Sequence, residues 1–229
     1  MKLKLVLFSA LCIRLCPVFA QAPDSTQTAN ISLQGAPTQI ELFTGNNGLA
    51  FQLLVSKQFS PQSKFGFFNV TNFTGDYKTN QTSDFLSQSL VTAEVFSGIS
   101  LAAGLSAMGA SNTPSTVQPT VALQYLLTSR DVVIVVLPQF DITQLYNIEM
   151  FAVLEYKPML SKNWGIYIRV QWLCNYNAKL GCNELSEINL RLGLSYKNFQ
   201  FGIGSIHDFY GSDEYNVNNY GLFIKTDLF

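Results

Sequence analysis

The 37 residues KNWGIYIRVQWLCNYNAKLGCNELSEINLRLGLSYKN, positions 162–198, decide the fold. In the first arm Trp164, Ile166, Ile168, Val170 and Trp172 alternate with Gly165, Tyr167, Arg169, Gln171 and Leu173. In the second, Ile188, Leu190, Leu192, Leu194 and Tyr196 alternate with Glu187, Asn189, Arg191, Gly193 and Ser195. Strict period-two alternation is the pattern of a strand with one apolar and one polar face. Roughly nine to eleven residues is also the length a tilted strand needs to cross a bilayer. Large aromatics end the apolar rows, and charges sit mid-strand on the other row. That arrangement fits a membrane barrel with lipid outside and a polar lumen inside.

Outward from this hairpin, further strands are expected at 38–44, 48–58, 64–73, 85–95, 98–108, 118–127, 131–139 and 147–156 before it, and at 199–207 and 219–228 after it. With the two arms, 163–173 and 186–196, they make an all-β, antiparallel up-and-down transmembrane barrel of about 12 strands, with 10 or 14 as alternatives. The small-residue segment Ile99–Ala110 is kept as a strand because Gly98, Gly104 and Gly109 argue against a helix. Pro119 and Pro138 are expected at strand ends, where a missing N–H is tolerated. Short connections at 59–64, 96–97, 129–130, 157–162 and 197–198 alternate with longer polar ones at 74–84, 109–117, 139–146, 174–185 and 208–218. Short turns on one side and long loops on the other are expected of such barrels. A secreted sandwich or soluble ligand-binding barrel is the alternative, with the apolar rows turned inward.

The chain opens MKLKLVLFSALCIRLCPVFA: two lysines, a short apolar run, then Val18-Phe19-Ala20. This describes a secretory signal peptide over 1–20, which removes Cys12 and Cys16. A Ser/Thr-rich tail at 21–36 precedes a barrel over 37–229. Losing Lys2, Lys4 and Arg14 from 14 basic residues leaves 11 against 15 acidic ones, and no basic patch, so nucleic acid is not an expected partner.

The chain ends Tyr220-Gly-Leu-Phe-Ile-Lys-Thr-Asp-Leu-Phe229. With the signal peptide and the strand pattern, this ending resembles Gram-negative outer-membrane β-barrel proteins, whose last strand closes on a terminal Phe. The resemblance implies an outer-membrane location, contact with outer-membrane lipid, and Phe229 as the signal read by the barrel-assembly machinery. Lys225 and Asp227 depart from the family pattern by sharing a face with Phe229. The stretches FGFFNVTNFTGDY (65–77) and YKPMLSKNWGIYIR (156–169) are similar to outer-membrane proteins of the Bacteroidota.

Three constellations carry possible chemistry. Glu149 and Glu155, Arg169, and Glu187 and Arg191 lie on three successive strands and should face inward, since an Arg in the lipid mid-plane costs about 2–4 kcal/mol. They form either a solute-selecting constriction or an ion-pair network filling a closed barrel. Cys174 and Cys182 flank a short loop and are expected to form a disulfide that staples it; two cysteines without a nearby histidine make no metal site. Ser205 and His207 share a face, as nucleophile and base do in outer-membrane lipid hydrolases. Asp208 points the other way, no second histidine exists, and in such phospholipases the histidine precedes the serine, so no catalysis is expected. No phosphate loop, metal motif or cofactor fingerprint occurs in the mature chain. The functional expectation is a small passive channel for small solutes. A non-conducting interaction barrel working through loops 74–84 and 208–218 is the alternative, and a lipid-modifying enzyme a remote third.

Overall fold

Twelve strands alternate in direction around one closed sheet: β1 (Thr38–Gly45), β2 (Gly48–Gln58), β3 (Phe65–Asp76), β4 (Gln81–Phe96), β5 (Ile99–Ala110), β6 (Thr113–Thr128), β7 (Val132–Asp141), β8 (Asn147–Tyr156), β9 (Trp164–Asn177), β10 (Cys182–Tyr196), β11 (Phe199–Tyr210) and β12 (Tyr215–Leu228). Each pairs with its sequence neighbours, and β1 pairs with β12 to close the barrel. This is a computed structural model, and it describes residues 37–78, 81–110, 113–143, 147–179, 181–211 and 215–228. The expected signal peptide, the tail and Phe229 lie outside the described residues.

The expected strand number holds, and Ile99–Ala110 is a strand. The ends toward the long loops are longer than the alternation shows. β4 begins at Gln81, β6 at Thr113, β10 at Cys182 and β12 at Tyr215, while β9 runs on to Asn177. Beyond the bilayer both faces of the sheet are wet, so pairing continues there without an apolar row to announce it. The segments expected as long loops at 74–84, 174–185 and 208–218 are therefore mostly paired sheet. The two prolines also differ from expectation. Pro119 pairs with Leu105 inside β6, and Pro138 pairs with Met150 inside β7. The β6–β7 ladder has no partners between Ala122 and Tyr125, opposite Leu137 and Pro138, where proline supplies no N–H.

The outer rows are apolar: Leu222 is 59% and Ile203 60% exposed, with Leu101, Leu192 and Ile224 similarly open. Aromatics collect near the two rims, with Trp164, Tyr196 and Phe199 at one end and Tyr176 and Tyr220 at the other. The belt is interrupted on β3 and β4, where Asn69, Thr71, Ser87 and Ser89 face outward as two cross-strand pairs. They satisfy one another: the Asn69 amide donates to Gln88 O (2.9 Å) and Ser89 Oγ (3.0 Å), and the Thr71 and Ser87 hydroxyls are 2.9 Å apart. An unpaired polar group in hydrocarbon would cost several kcal/mol, so this local pairing is what the position requires.

The interior is not the uniformly polar lumen expected. On the wall from β3 to β8 it is an apolar core in which Phe68, Val70, Leu90, Val135, Leu137 and Phe151 have no exposed surface. Strands such as VVIVVL (132–137) are apolar on both rows, one toward lipid and one into this core. The opposite wall, β9–β12 and β1, is glycine-rich inside, and the room goes to large side chains. A Cβ on Gly204 would stand 2.6 Å from Cδ of Arg191. The barrel is thus asymmetric, with greasy packing on one side and charges on the other.

Candidate functional site

All five lumen candidates face inward, but they fall into three groups. The central one is built on Arg169 and Arg191, directly opposite each other on β9 and β10. Two like charges at that spacing repel. Glu41 of β1, three strands round the same wall from β10, joins them: its carboxylate accepts from Arg169 Nη1 (2.9 Å) and from Arg191 Nε and Nη2 (2.9 Å each). Gln52 and Gln171 accept from the other Arg169 nitrogen. Arg191 lies over the Phe43 ring at 4.4 Å and also donates to Ser205 O at 3.0 Å. Both arginine side chains are 3% exposed, so their charges are compensated almost wholly by protein.

The second group lies toward the short-turn end. Glu155 receives Lys225 at 3.0 Å, Lys157 at 3.3 Å and the Tyr167 hydroxyl at 3.1 Å. Asp227 receives the same two lysines, Lys225 at 2.8 Å and Lys157 at 2.7 Å. Two carboxylates and two ammonium groups thus form one balanced quartet. Lys225 and Asp227, the departure from the family's ending, prove to be inward members of this quartet. The third group is toward the opposite end. Glu149 is bonded by the Gln88 amide, and Glu187 accepts from Asn189 (2.6 Å) and Gln171 (3.5 Å). Glu149 and Glu187 make no ion pair among the described residues.

Sequence reasoning missed Glu41, Lys157, Tyr167 and Lys225. Glu41 was visible as the polar row Gln39–Glu41 in TQIELF, but only the closed barrel brings β1 over β9. A cavity of ≈ 20 Å³, enough for about one water, sits on the central layer between Glu41, Gln52, Asn72, Glu187 and the two arginines.

The expected Cys174–Cys182 disulfide is corrected: both thiols are free. Cys174 pairs with Ser186 on the outer row, while Cys182 pairs with Asn177, three residues further along β9. That is about 10 Å of strand, beyond the reach of a disulfide, and a bulge at Asn183/Leu185 separates the two. Alkylating unfolded, unreduced mature chain should therefore add two maleimide groups, read as intact mass; an unmodified mass would restore the bridge.

Ser205 and His207 lie on the outer row of β11, near the rim opposite the short turns. His207 Nε2 is 3.0 Å from Ser205 Oγ, and its Nδ1 is 2.6 Å from Asn218 Oδ1 on β12. Asp208 faces the lumen opposite Glu187, as the alternation indicated.

An apolar belt outside and paired charges inside define how this sheet is solvated. This is the solvation pattern of a transmembrane β-barrel. No protein-family model and no curated protein matches the chain. Among solved structures it is similar to the KdgM porin (14% identity, 84% of this chain and 99% of that one, TM-score 0.41). It is also similar to the NanC porin (10%, 85% and 100%, TM-score 0.44) and to OpdQ of Pseudomonas aeruginosa (9%, 81% and 69%, TM-score 0.38).

Proposed function

We propose that the barrel is a small porin-like channel in the outer membrane, with Glu41, Arg169, Arg191 and Glu187 as its selecting constriction. The observation that carries this reading is that only side chains cross the lumen among the described residues, and that the crossing layer is charged. Rotatable side chains close the passage at this level, and their charges are arranged as in rings that discriminate ions. The Glu155–Lys225–Asp227–Lys157 quartet lines the way toward the periplasm, while Glu149 gives the outer approach an acidic lining. In planar bilayers the refolded mature chain should give discrete conductance steps. Arg169→Gln with Arg191→Gln should shift ion preference toward cations; an unchanged preference would remove these two from the lining.

A second reading, a non-conducting interaction barrel, is favoured by one observation: Tyr167, Lys225 and Glu155 are completely buried, as in a filled lumen. A folded, inserted and silent barrel would select it. Its contacts would then be made by the tips of the outer hairpins, since most of 74–84 and 208–218 is sheet. In either case the partners proposed are outer-membrane lipid and, through Phe229, the barrel-assembly machinery. The 65–77 and 156–169 stretches support a Bacteroidota-like membership. Conduction itself requires no chemistry and no cofactor.

A further inference from the structure

On the outer surface of the barrel, Ser205, His207 and Asn218 stand in one hydrogen-bonded line across β11 and β12. Asn218 Oδ1 only accepts, so at 2.6 Å it takes the proton of His207 Nδ1. That fixes the imidazole in the tautomer whose Nε2 is a lone pair, and this nitrogen is 3.0 Å from Ser205 Oγ. A hydroxyl, a base held to accept from it, and a third group orienting the base are the parts of an activated serine. The third group comes from the neighbouring strand, so the inward turn of Asp208 does not leave the base unsupported. Tyr220 packs edge-on against the imidazole at 5.5 Å and limits its rotation.

The location selects the substrate. The three residues face out from the wall, between the apolar side chains of Ile203 and Leu222 toward the bilayer and the strand tips toward water. Tyr220, 56% exposed, marks the interfacial depth, where aromatic rings sit beside lipid ester carbonyls and water can reach. We propose that Ser205, His207 and Asn218 form a lipid-facing esterase site that acts on acyl esters in the outer leaflet. Ser205 Oγ attacks the ester carbonyl while its proton passes to His207 Nε2. The alcohol leaves with that proton as the acyl C–O bond breaks. Water, deprotonated by the same nitrogen, then releases the acyl group as a carboxylic acid and restores the serine. The exposed amide of Asn216 is on the same outer row and supplies a donor for the developing oxyanion. Ser205 and His207 are the catalytic pair, and Asn218 is a positioning residue.

The site is independent of the pore, since none of the three reaches the lumen. The test treats the refolded full mature barrel, in detergent micelles and in phosphatidylcholine vesicles, with a fluorophosphonate probe and a fluorogenic phospholipid ester. A single adduct on Ser205 in peptide mapping is expected, falling about 100-fold or more in His207→Ala. Asn218→Leu should also lower labelling, and Asn218→Asp, which keeps the acceptor, should restore it; a role in packing alone would not follow that order. Ser205→Ala should abolish phospholipid turnover while leaving heat-modifiable migration and conductance unchanged. No adduct on Ser205 in the folded wild type, or labelling indifferent to His207→Ala, overturns the proposal. Labelling without phospholipid turnover would overturn the lipid substrate.

Discussion

Replacing Glu41 with leucine should cost the barrel about 3–5 kcal/mol, because it leaves Arg169 and Arg191 buried, adjacent and uncompensated. The measurement is the urea midpoint of the refolded protein in lipid, with the slope unchanged to show that the same surface is exposed. The loss is a penalty for stranded charge rather than the worth of the pairs. Glu41→Leu combined with Arg169→Met and Arg191→Met should therefore recover most of the stability, since refilling a buried ion cluster with apolar side chains of similar volume is often neutral or better. A Glu41→Leu midpoint equal to that of the wild type would mean that water reaches the two guanidinium groups and the layer is open.

The second large effect concerns the passage. Changing Glu41, Arg169 and Arg191 together to serine removes the three ion-paired side chains and leaves Glu187 as the carboxylate of that layer. Single-channel conductance should rise severalfold, because the lumen there loses two guanidinium groups and a carboxylate while the surrounding strands stay paired. The apolar triple variant should instead be closed. Equal conductance in the wild type, the serine variant and the apolar variant would place the limiting section elsewhere, at the Glu155–Lys225 quartet.

Much of this was legible in the alternating rows. Arg169, Arg191 and Glu187 could be assigned to the interior because the lipid row on the same strands was continuous. What could not be read was who answers whom. Arg169 and Arg191 find their counter-charge 128 and 150 residues away, on the first strand, through closure of the sheet. Lys225 read as an irregular ending because its partner Glu155 is a ladder neighbour of neither β11 nor β1. The apolar half of the lumen was hidden for a different reason: a strand apolar on both rows gives no alternation to say which row faces the bilayer. The cysteines misled because sequence spacing counts residues around a hairpin, whereas a bridge depends on rung and face. His207 and Ser205 were visible as a pair, but Asn218 became their neighbour only through the β11–β12 register.

The seam between β1 and β12 carries a consequence for biogenesis. Glu41 and Gln39 arrive on the first strand, and Lys225 and Asp227 on the last. Until those two edges meet, the arginines of β9 and β10 and the carboxylate of β8 have no complete set of partners. An open, partly zipped sheet holds mismatched charge along its inner wall and stays hydrated there. Joining the edges brings Glu41 to the two arginines and Lys225 with Asp227 to Glu155 in one step, so electrostatic pairing coincides with the event that removes the last free strand edge. Both sets of ion pairs depend on the one register in which Glu41 stands opposite Lys225.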